Sequence, residues 1–403
     1  MKESKLEIRK ITKKDRHALM DLYRYTYTEW SDREIKEEEL EEILTHETLG
    51  LFENGRLVSS IRIHEFQQSV RGILKDCGGI AGVASYPEAR HKGYIRKLML
   101  AGFKEMYEQG QSVSMLDPFK PSFYAKFGYA SANAPYLVKA PIKHLIHNEK
   151  KNTTSEWSFE RLRAVDVKDT LLRFIREIGP IQYHGFIIFK SIPDEMWKQR
   201  VKDSLVVFVK HKGVIQAASR YRIKGERRDG RWVAELTVID FLWRTRESRI
   251  KLFDFFSSHQ DQIDDIIIHA PFETRVEHWF EDGKISIERK APWMVRVIDT
   301  ITAVEDLPAT GEDIVTMEIS DLECSWNNGV FTIQSEKNHL HMNKSSDKPV
   351  VKMSIKAFSS LVYGTLSVEE LMFRREIALT DDWVQHTLQR WFPLLPLYNV
   401  LYF

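Results

Sequence analysis

The sequence predicts an α/β chain made of two tandem copies of one domain, followed by a third domain of α+β type. Three observations carry this reading. A length of 403 residues exceeds what one hydrophobic core supports, so two or three domains are expected. A run of strand, helix and hairpin signals near the start returns after residue 157. The pattern then changes near Pro292.

The repeat is readable element by element. LEIRKITKKDRHALMDLYRYTY (6–27) parallels SFERLRAVDVKDTLLRFIREI (158–178). Each reads as a short alternating strand, an Asp at a helix N-cap (Asp15, Asp166) and an amphipathic helix. LGLFENGRLVSSIRIHEF (49–66) parallels VVFVKHKGVIQAASRYRI (206–223), two hairpins turning at Gly55 and Gly213. GGIAGVASYPEARHKGYIRKLML (78–100) parallels AELTVIDFLWRTRESRIKLFDFF (234–256), each an apolar strand, a polar turn and a helix. The polar stretch HNEKKNTTSE (147–156) is the expected linker between copies. After Pro292, MVRVIDTITAVEDL opens a different pattern, with strands expected at 313–320, 329–335 and 350–355 and one helical stretch, IKAFSSLVYGTLSVEELMF. The expected domains are 1–148, 149–291 and 292–403.

Composition excludes several classes. A net charge of +1 gives no basic field for nucleic acid or an anionic membrane. Apolar runs are too short to cross a bilayer, and the start, MKESKLEIRKITKKD, lacks the apolar block of a secretion signal. The two cysteines, Cys77 and Cys324, lie far apart, and the histidines show no HExxH pair, so neither a disulfide framework nor a metal site is expected. A reducing cytoplasm is the expected compartment.

Residues 78–110 carry the chemistry. GGIAGVAS is an uncharged strand of small residues, and Arg90-His91-Lys92-Gly93-Tyr94-Ile95-Arg96 follows it. Ile95, Leu98, Met99, Gly102 and Met106 then recur on one helical face, with Gly110 as a C-cap. A strand thus feeds a basic turn with a glycine that opens a helix. The first turn of a helix leaves backbone N–H groups free and carries a partial positive charge, which suits a pyrophosphate. Gly93 lets the backbone approach phosphate, and His91, Lys92 and Arg96 add charge. An Arg-x-x-Gly tetrapeptide also recurs by chance, as an ordinary solvated helix start.

In context the turn resembles the acyl-CoA loop of the GNAT acetyltransferases, Arg/Gln-x-x-Gly-x-Gly/Ala after an apolar strand, with Ile95 departing at the last small position. The resemblance implies that Val83, Ala84 and Ser85 pair with pantetheine through backbone groups, as an added strand does. It implies that His91, Lys92, Gly93, Tyr94, Ile95 and Arg96 hold the pyrophosphate, with Phe119 and Lys120 completing the cofactor set. FYAKFGY (123–129) is similar to the GNAT segment beside the thiol end of CoA. The resemblance gives Tyr124 the role of general acid for the departing thiolate, which a phenol protonated below about pH 10 can fill. Phe127 and Tyr129 read as core aromatics. In the second copy the matching turn, LWRTRESR (242–249), has no glycine at the Gly93 position, and Glu247 would repel phosphate. That copy reads as having kept the fold and lost the site.

The layout resembles the Eis (enhanced intracellular survival) family: tandem GNAT domains, the second degenerate, followed by a sterol-carrier-protein-like α+β domain. The resemblance implies a hexameric N-acetyltransferase that moves the acetyl group of acetyl-CoA to amines, aminoglycosides among them. Many GNAT enzymes take the amine's proton on a Glu of the strand before the loop, but GGIAGVAS has none and Glu88 reads as solvated. In the Eis family the C-terminal carboxylate serves, which falls here on Phe403 in the apolar tail LPLYNVLYF. Packing for stability alone is the other reading of that tail. Residues 32–42, DREIKEEELEE, either add negative potential near a cationic acceptor or form a solvated acidic face. Tyr23, Tyr25, Tyr27 and Trp30 are either pocket wall or core. Acetylation of protein lysines or N-termini, and lipid or ligand binding through the third domain, are the alternative functions.

Overall fold

The computed structural model describes residues 5–27, 47–147, 156–271, 274–282, 284–289 and 292–399. The first copy begins with β1 (Leu6–Lys10) and α1 (Arg16–Thr26). The hairpin of β2 (Thr48–Glu53) and β3 (Arg56–Val70) turns at Gly55, φ 83°, and β4 (Ile73–Ser85) returns. Then come α2 (Tyr94–Glu108), β5 (Val113–Leu116), the short α3 (Pro121–Tyr124) and β6 (Ala130–Ser131). Gly110 ends α2 at φ 74°, as expected, and Gly102 lets α2 lie close on Ile61 and Ile63 of β3.

The chain continues through β7 (Tyr136–Pro141), β8 (Trp157–Arg163), α4 (Lys168–Gln182), β9 (Ile187–Phe189) and α5 (Asp194–Val201). The second hairpin is β10 (Leu205–His211) and β11 (Val214–Arg228), again turning at a positive-φ glycine, Gly213. β12 (Arg231–Val238), β13 (Leu242–Trp243), α6 (Arg246–Ser257), β14 (Asp265–Ala270), β15 (Ser286–Arg289) and β16 (Met294–Val297) follow. The repeat therefore exists in three dimensions: β8, α4, β10, β11, β12 and α6 restate β1, α1, β2, β3, β4 and α2.

Sheet membership does not follow chain order. The first sheet runs β1-β2-β3-β4-β5-β16-β6, with β9 added on β3; the second runs β15-β7-β14-β12-β11-β10-β8, with β13 on β11. The two copies thus exchange strands. β7 leaves the first copy to pair with β14, and β16 returns to pair with β5. MVRV, which falls within the expected third domain at 292–403, thus lies in the first sheet, between β5 and β6.

The third domain contains α7 (Thr300–Val304), β17 (Ile314–Ser320), β18 (Gly329–Glu336), β19 (His339–Lys344) and β20 (Val351–Ser354). It ends with α8 (Ile355–Tyr363), α9 (Val368–Phe373), β21 (Ile377–Leu379) and α10 (Asp382–Trp391). Its sheet runs β19-β18-β17-β20-β21. The helical stretch expected over 355–373 divides at Gly364, whose left-handed φ of 60° caps α8. The domain is tied to the first sheet from below. Arg71, at the β3–β4 turn, donates to the carbonyls of Leu361, Val362 and Pro393, closing the C-terminus of α8.

Asp15 and Asp166 do not act as N-caps. Each carboxylate turns back to an arginine of the preceding strand, Arg9 at 2.7 Å and Arg163 at 2.7 Å. Asp15 also accepts from the Thr12 backbone N–H at 2.8 Å, so a 3-10 turn, not a side-chain cap, leads into α1. Charge-assisted bonding to a guanidinium outcompetes a neutral N–H donor. It holds the Asp15 carboxyl well below its usual range.

Candidate active site

The site begins where two parallel strands part. β4 and β5 pair from Cys77/Val113 to Ile80/Leu116 and no further. β4 runs on to Ser85, held by β3 through Ser60/Ala84 and Ser59/Ser85. Beyond Ile80 its other edge is left without a strand partner among the described residues. An extra residue bulges from β4 here, and Gly82 takes φ 55°. A side chain at Gly82 would stand 2.4 Å from the Tyr23 hydroxyl oxygen, so only glycine lets α1 approach. Tyr27, the extended residue just after α1, donates its hydroxyl to the Val83 carbonyl at 3.1 Å, and the Ser85 and Ser59 hydroxyls lie 2.8 Å apart. Val83, Ala84 and Ser85 thus form an edge of the kind an extended amide chain can join. Tyr23 is core, whereas Tyr25 is exposed; Trp30 and residues 32–42 lie outside the described residues.

Past Ser85 a 3-10 turn, Pro87–Ala89, leads to exposed Arg90, His91, Lys92 and Gly93. His91 and Gly93 both adopt left-handed φ, 62° and 76°. Gly93 is the N-cap of α2, and no side chain caps that end. The first-turn N–H groups of Tyr94, Ile95 and Arg96 therefore point to open space, with the helix dipole behind them. A Cβ added at Gly93 would meet nothing within 4 Å, so the glycine is required by its φ and leaves room for a ligand. Two of the expected basic side chains already have partners. Lys92 lies 3.2 Å from Glu53, which also accepts the Tyr94 hydroxyl at 2.7 Å. Arg96 lies 2.9 Å from Glu323 of the third domain. The Lys92 pair is partly exposed and weak enough for a phosphate to displace. Glu323 is buried, so Arg96 stays anchored to it at the edge of the turn. Glu88 is exposed beside Arg56 at 3.4 Å, as its solvated reading expects.

Tyr124 ends α3 directly after the split. Its ring is buried among Phe119, Phe123 and Tyr129, and its hydroxyl makes no hydrogen bond among the described residues. Burial, and then the charge of Asp117, push its pKa well above that of a free phenol, so it is a proton donor across the physiological range. Phe119 stands 72% exposed at the mouth, beside exposed Lys120. Tyr129 is structural: its hydroxyl lies 2.7 Å from that of Ser114, which in turn donates to the Gly78 carbonyl, tying β4 and β5 below the split.

Sequence reasoning missed what fixes Tyr124. Arg296 of β16 is wholly buried, lies under the Phe103 ring and donates to the Phe127 carbonyl. Asp321 of the third domain neutralises it at 2.7 Å. Gly128, φ 79°, leaves the space that this guanidinium fills. A charged residue within the apolar run MVRVI was the available signal. Also missed was a buried pair on the other face of β3, His64 Nδ1 to Glu47 at 2.7 Å. Burial pushes that imidazole below its ordinary pKa, against the opposing pull of Glu47.

The tail docks as far as it is described. Tyr398 stacks on Tyr183 with centroids 4.1 Å apart, bonds the His184 carbonyl through its N–H at 2.8 Å and is fully buried with Asn399. Phe403 lies outside the described residues.

The fold agrees with what the chain resembles. Residues 7–132 and 191–297 each match a family of acetyltransferase (GNAT) domains, and residues 299–396 match the sterol carrier protein domain. With two acetyltransferase domains, the chain is an acyl-CoA-dependent N-acetyltransferase. A GCN5-related N-acetyltransferase from Anabaena variabilis superposes with a TM-score of 0.85 at 16% identity, covering 99% of this chain and 100% of its own. A protein of Enterococcus faecalis described as a probable N-acyltransferase gives 0.83 at 20% identity, covering 100% of both. Eis1 from Mycobacterium abscessus gives 0.81 at 15% identity, covering 98% of this chain and 100% of its own. At such identities the likeness shows a shared three-domain fold. A search of the curated proteins found no match.

Proposed function

We propose that this chain transfers the acetyl group of acetyl-CoA directly to a primary amine of a small molecule, with Tyr124 as general acid. The observation that carries this is the meeting of three features at one place: an open strand edge at Val83–Ser85, an uncapped helix N-terminus at Gly93 and an unbonded tyrosine hydroxyl just past the split. The edge and the N-terminus fit the pantetheine and pyrophosphate of CoA, which supplies the activated acetyl group. The residues His91 to Arg96 hold the phosphates, and Phe119 and Lys120 flank the entrance. Tyr124 gives its proton to the sulfur as the thioester bond breaks. The carboxylate at Phe403, the base implied by the family resemblance, takes the proton that the amine sheds. A hexamer belongs to the same proposal. Among the described residues no helix is long and apolar enough to cross a membrane.

The resemblance points to a polycationic, aminoglycoside-like acceptor. A second reading of the acceptor is favoured by Arg62, as argued below.

Thiol release from acetyl-CoA across a panel of amines tests the reaction. Tyr124→Phe should keep acetyl-CoA binding and lose about a hundredfold in turnover, the usual scale for a general acid. Turnover within twofold of the parent would make Tyr124 a packing residue. Deleting residues 400–403 should leave CoA binding intact and lower turnover on a similar scale; full activity would remove Phe403 from the mechanism.

A further inference from the structure

We propose that the acceptor is an amine that itself carries an anionic oxygen group, a carboxylate or a phosphate, and that Arg62 binds that group. The inference rests on the acetyltransferase reading above and specifies its substrate class.

The placement follows from the ladder. Arg62 pairs with Ala81, the first residue of β4 beyond the last β4–β5 pair. Its neighbours Ile61 and Ile63 face α2, where they lie 3.0 and 3.2 Å from the position of a Cβ on Gly102. Side chains alternate along a strand, so Arg62 and His64 lie on the opposite face. α1 covers that face, with the Tyr23 hydroxyl beside Gly82 and Tyr27 bonded to Val83. Arg62 thus forms the floor beside the strand edge that binds the thioester arm, on the side away from α2. α2 packs on the Ile61–Ile63 face, so an amine that approaches from the opposite face, beside α1, meets Arg62.

The charge of Arg62 is not balanced. Its Nε lies 3.4 Å from the Thr48 hydroxyl, and its guanidinium stands 5.9 Å from the Tyr23 ring. No carboxylate pairs with it among the described residues. Arg9, Arg56 and Arg96 in the same domain each have one, at 2.7, 3.4 and 2.9 Å. Glu47, a carboxylate on this face, is already bonded to His64. Arg62 and Arg200 both act to keep the His64 imidazole neutral, which shows that two cations bear on this face. Arg200 is itself lowered by burial to about 10. A half-buried guanidinium with spare donors suits a carboxylate or phosphate, which it can grip with two parallel bonds. A polycation would meet like charge here.

Matched amines test this. Thiol release is measured with 4-aminobutyrate against n-butylamine, with glucosamine 6-phosphate against glucosamine, and with spermidine as the polycation. The expected result is at least a tenfold advantage in kcat/KM for the anionic member of one pair. The pair that shows it tells carboxylate from phosphate. In Arg62→Met that advantage should fall to near unity, Arg62→Lys should retain part of it, and the KM for acetyl-CoA should not move. Equal rates within both pairs, or spermidine as the best acceptor with Arg62→Met unchanged, overturns the proposal. Calorimetry with CoA present reads the same site without turnover. Binding of 4-aminobutyrate or glucosamine 6-phosphate that is lost in Arg62→Met supports the proposal, and no binding to the parent overturns it. Absence of both acetyl-CoA binding and thiol release would instead sink the acetyltransferase reading itself.

Discussion

The two copies of the repeat handle one geometric problem in opposite ways. Each has a strand that ends beside a parallel neighbour and a helix that begins just beyond it. In the first copy α2 starts at Gly93 with no side-chain cap, and the β4 edge past Ile80 is open. In the second, Thr245 caps α6 by accepting from the Ser248 N–H at 3.1 Å, and Ser248 bonds back to the Thr245 N–H at 3.1 Å. The chain just before that cap is also closed. Gln182 accepts from the Trp243 N–H at 3.1 Å, and Tyr183 donates to the Phe241 carbonyl at 2.7 Å. The Arg249 guanidinium lies over the Trp243 ring, 4.7 Å from its centre. Polar backbone groups near a core need partners. The second copy supplies them from its own side chains; the first leaves them open, as the proposed CoA site requires. A binding site in this fold is a set of hydrogen bonds deliberately left unmade.

The first copy must also hold Tyr124 in place, and the third domain does this through Asp321, which neutralises the Arg296 guanidinium bonded to the Phe127 carbonyl. The largest expected effect on stability follows from breaking that brace. Asp321→Asn leaves the Arg296 guanidinium buried without its counter-ion, at a cost of about 3–5 kcal/mol. The Phe127–Gly128 turn that carries Tyr124 should loosen. Turnover should fall at least tenfold, and acetyl-CoA affinity should weaken less, because Asp321 also accepts from the N–H of Glu323, the partner of Arg96. Replacing both members together, Arg296→Met with Asp321→Leu, avoids the stranded charge and keeps the test readable if the single variant unfolds. Parental turnover in a folded double variant would show that Tyr124 needs no brace.

The next effect separates the two turns directly. Gly93→Glu forces a left-handed φ of 76° on a residue with a side chain and adds a negative charge at the phosphate site. Acetyl-CoA affinity should drop at least tenfold, about 1.4 kcal/mol. Ser248→Glu in the second copy should leave it unchanged. Calorimetry should give one CoA per chain, and a stoichiometry of two would remove the contrast.

Much of this was legible in the sequence because it is local. Strand alternation, the Gly55 and Gly213 turns and the glycine at the helix start are properties of a few consecutive residues. The exchange of β7 and β16 was not legible, since an apolar run such as MVRV states that it is a strand and not which sheet it joins. The partners of Arg296 and Arg96 were hidden for the same reason. Asp321 and Glu323 meet the first sheet only after 25 or more residues of intervening fold, and spacing carries no record of that meeting. Asp15 was misread because its choice between a helix N–H and Arg9 depends on the twist that brings the strand back over the turn.

The smallest effect tests whether the cap alone closed the second turn. Thr245→Ala removes the oxygen that accepts from Ser248 and frees first-turn N–H groups of α6. Loss of an N-cap costs typically about 1 kcal/mol. Exchange with deuterium should therefore quicken at the amides of residues 246–248 and not at α2. CoA stoichiometry should stay at one. Three barriers outlast the cap: Glu247 in the first turn repels phosphate, Gln182 and Tyr183 still hold Phe241 and Trp243, and no glycine gives the backbone a close approach. A second CoA bound by Thr245→Ala would mean that one hydroxyl divided scaffold from site. Unchanged stoichiometry with faster exchange would mean that the second copy is closed by strand edge and helix end together, so that reopening it requires Gln182, Tyr183 and Thr245 to be replaced as a set.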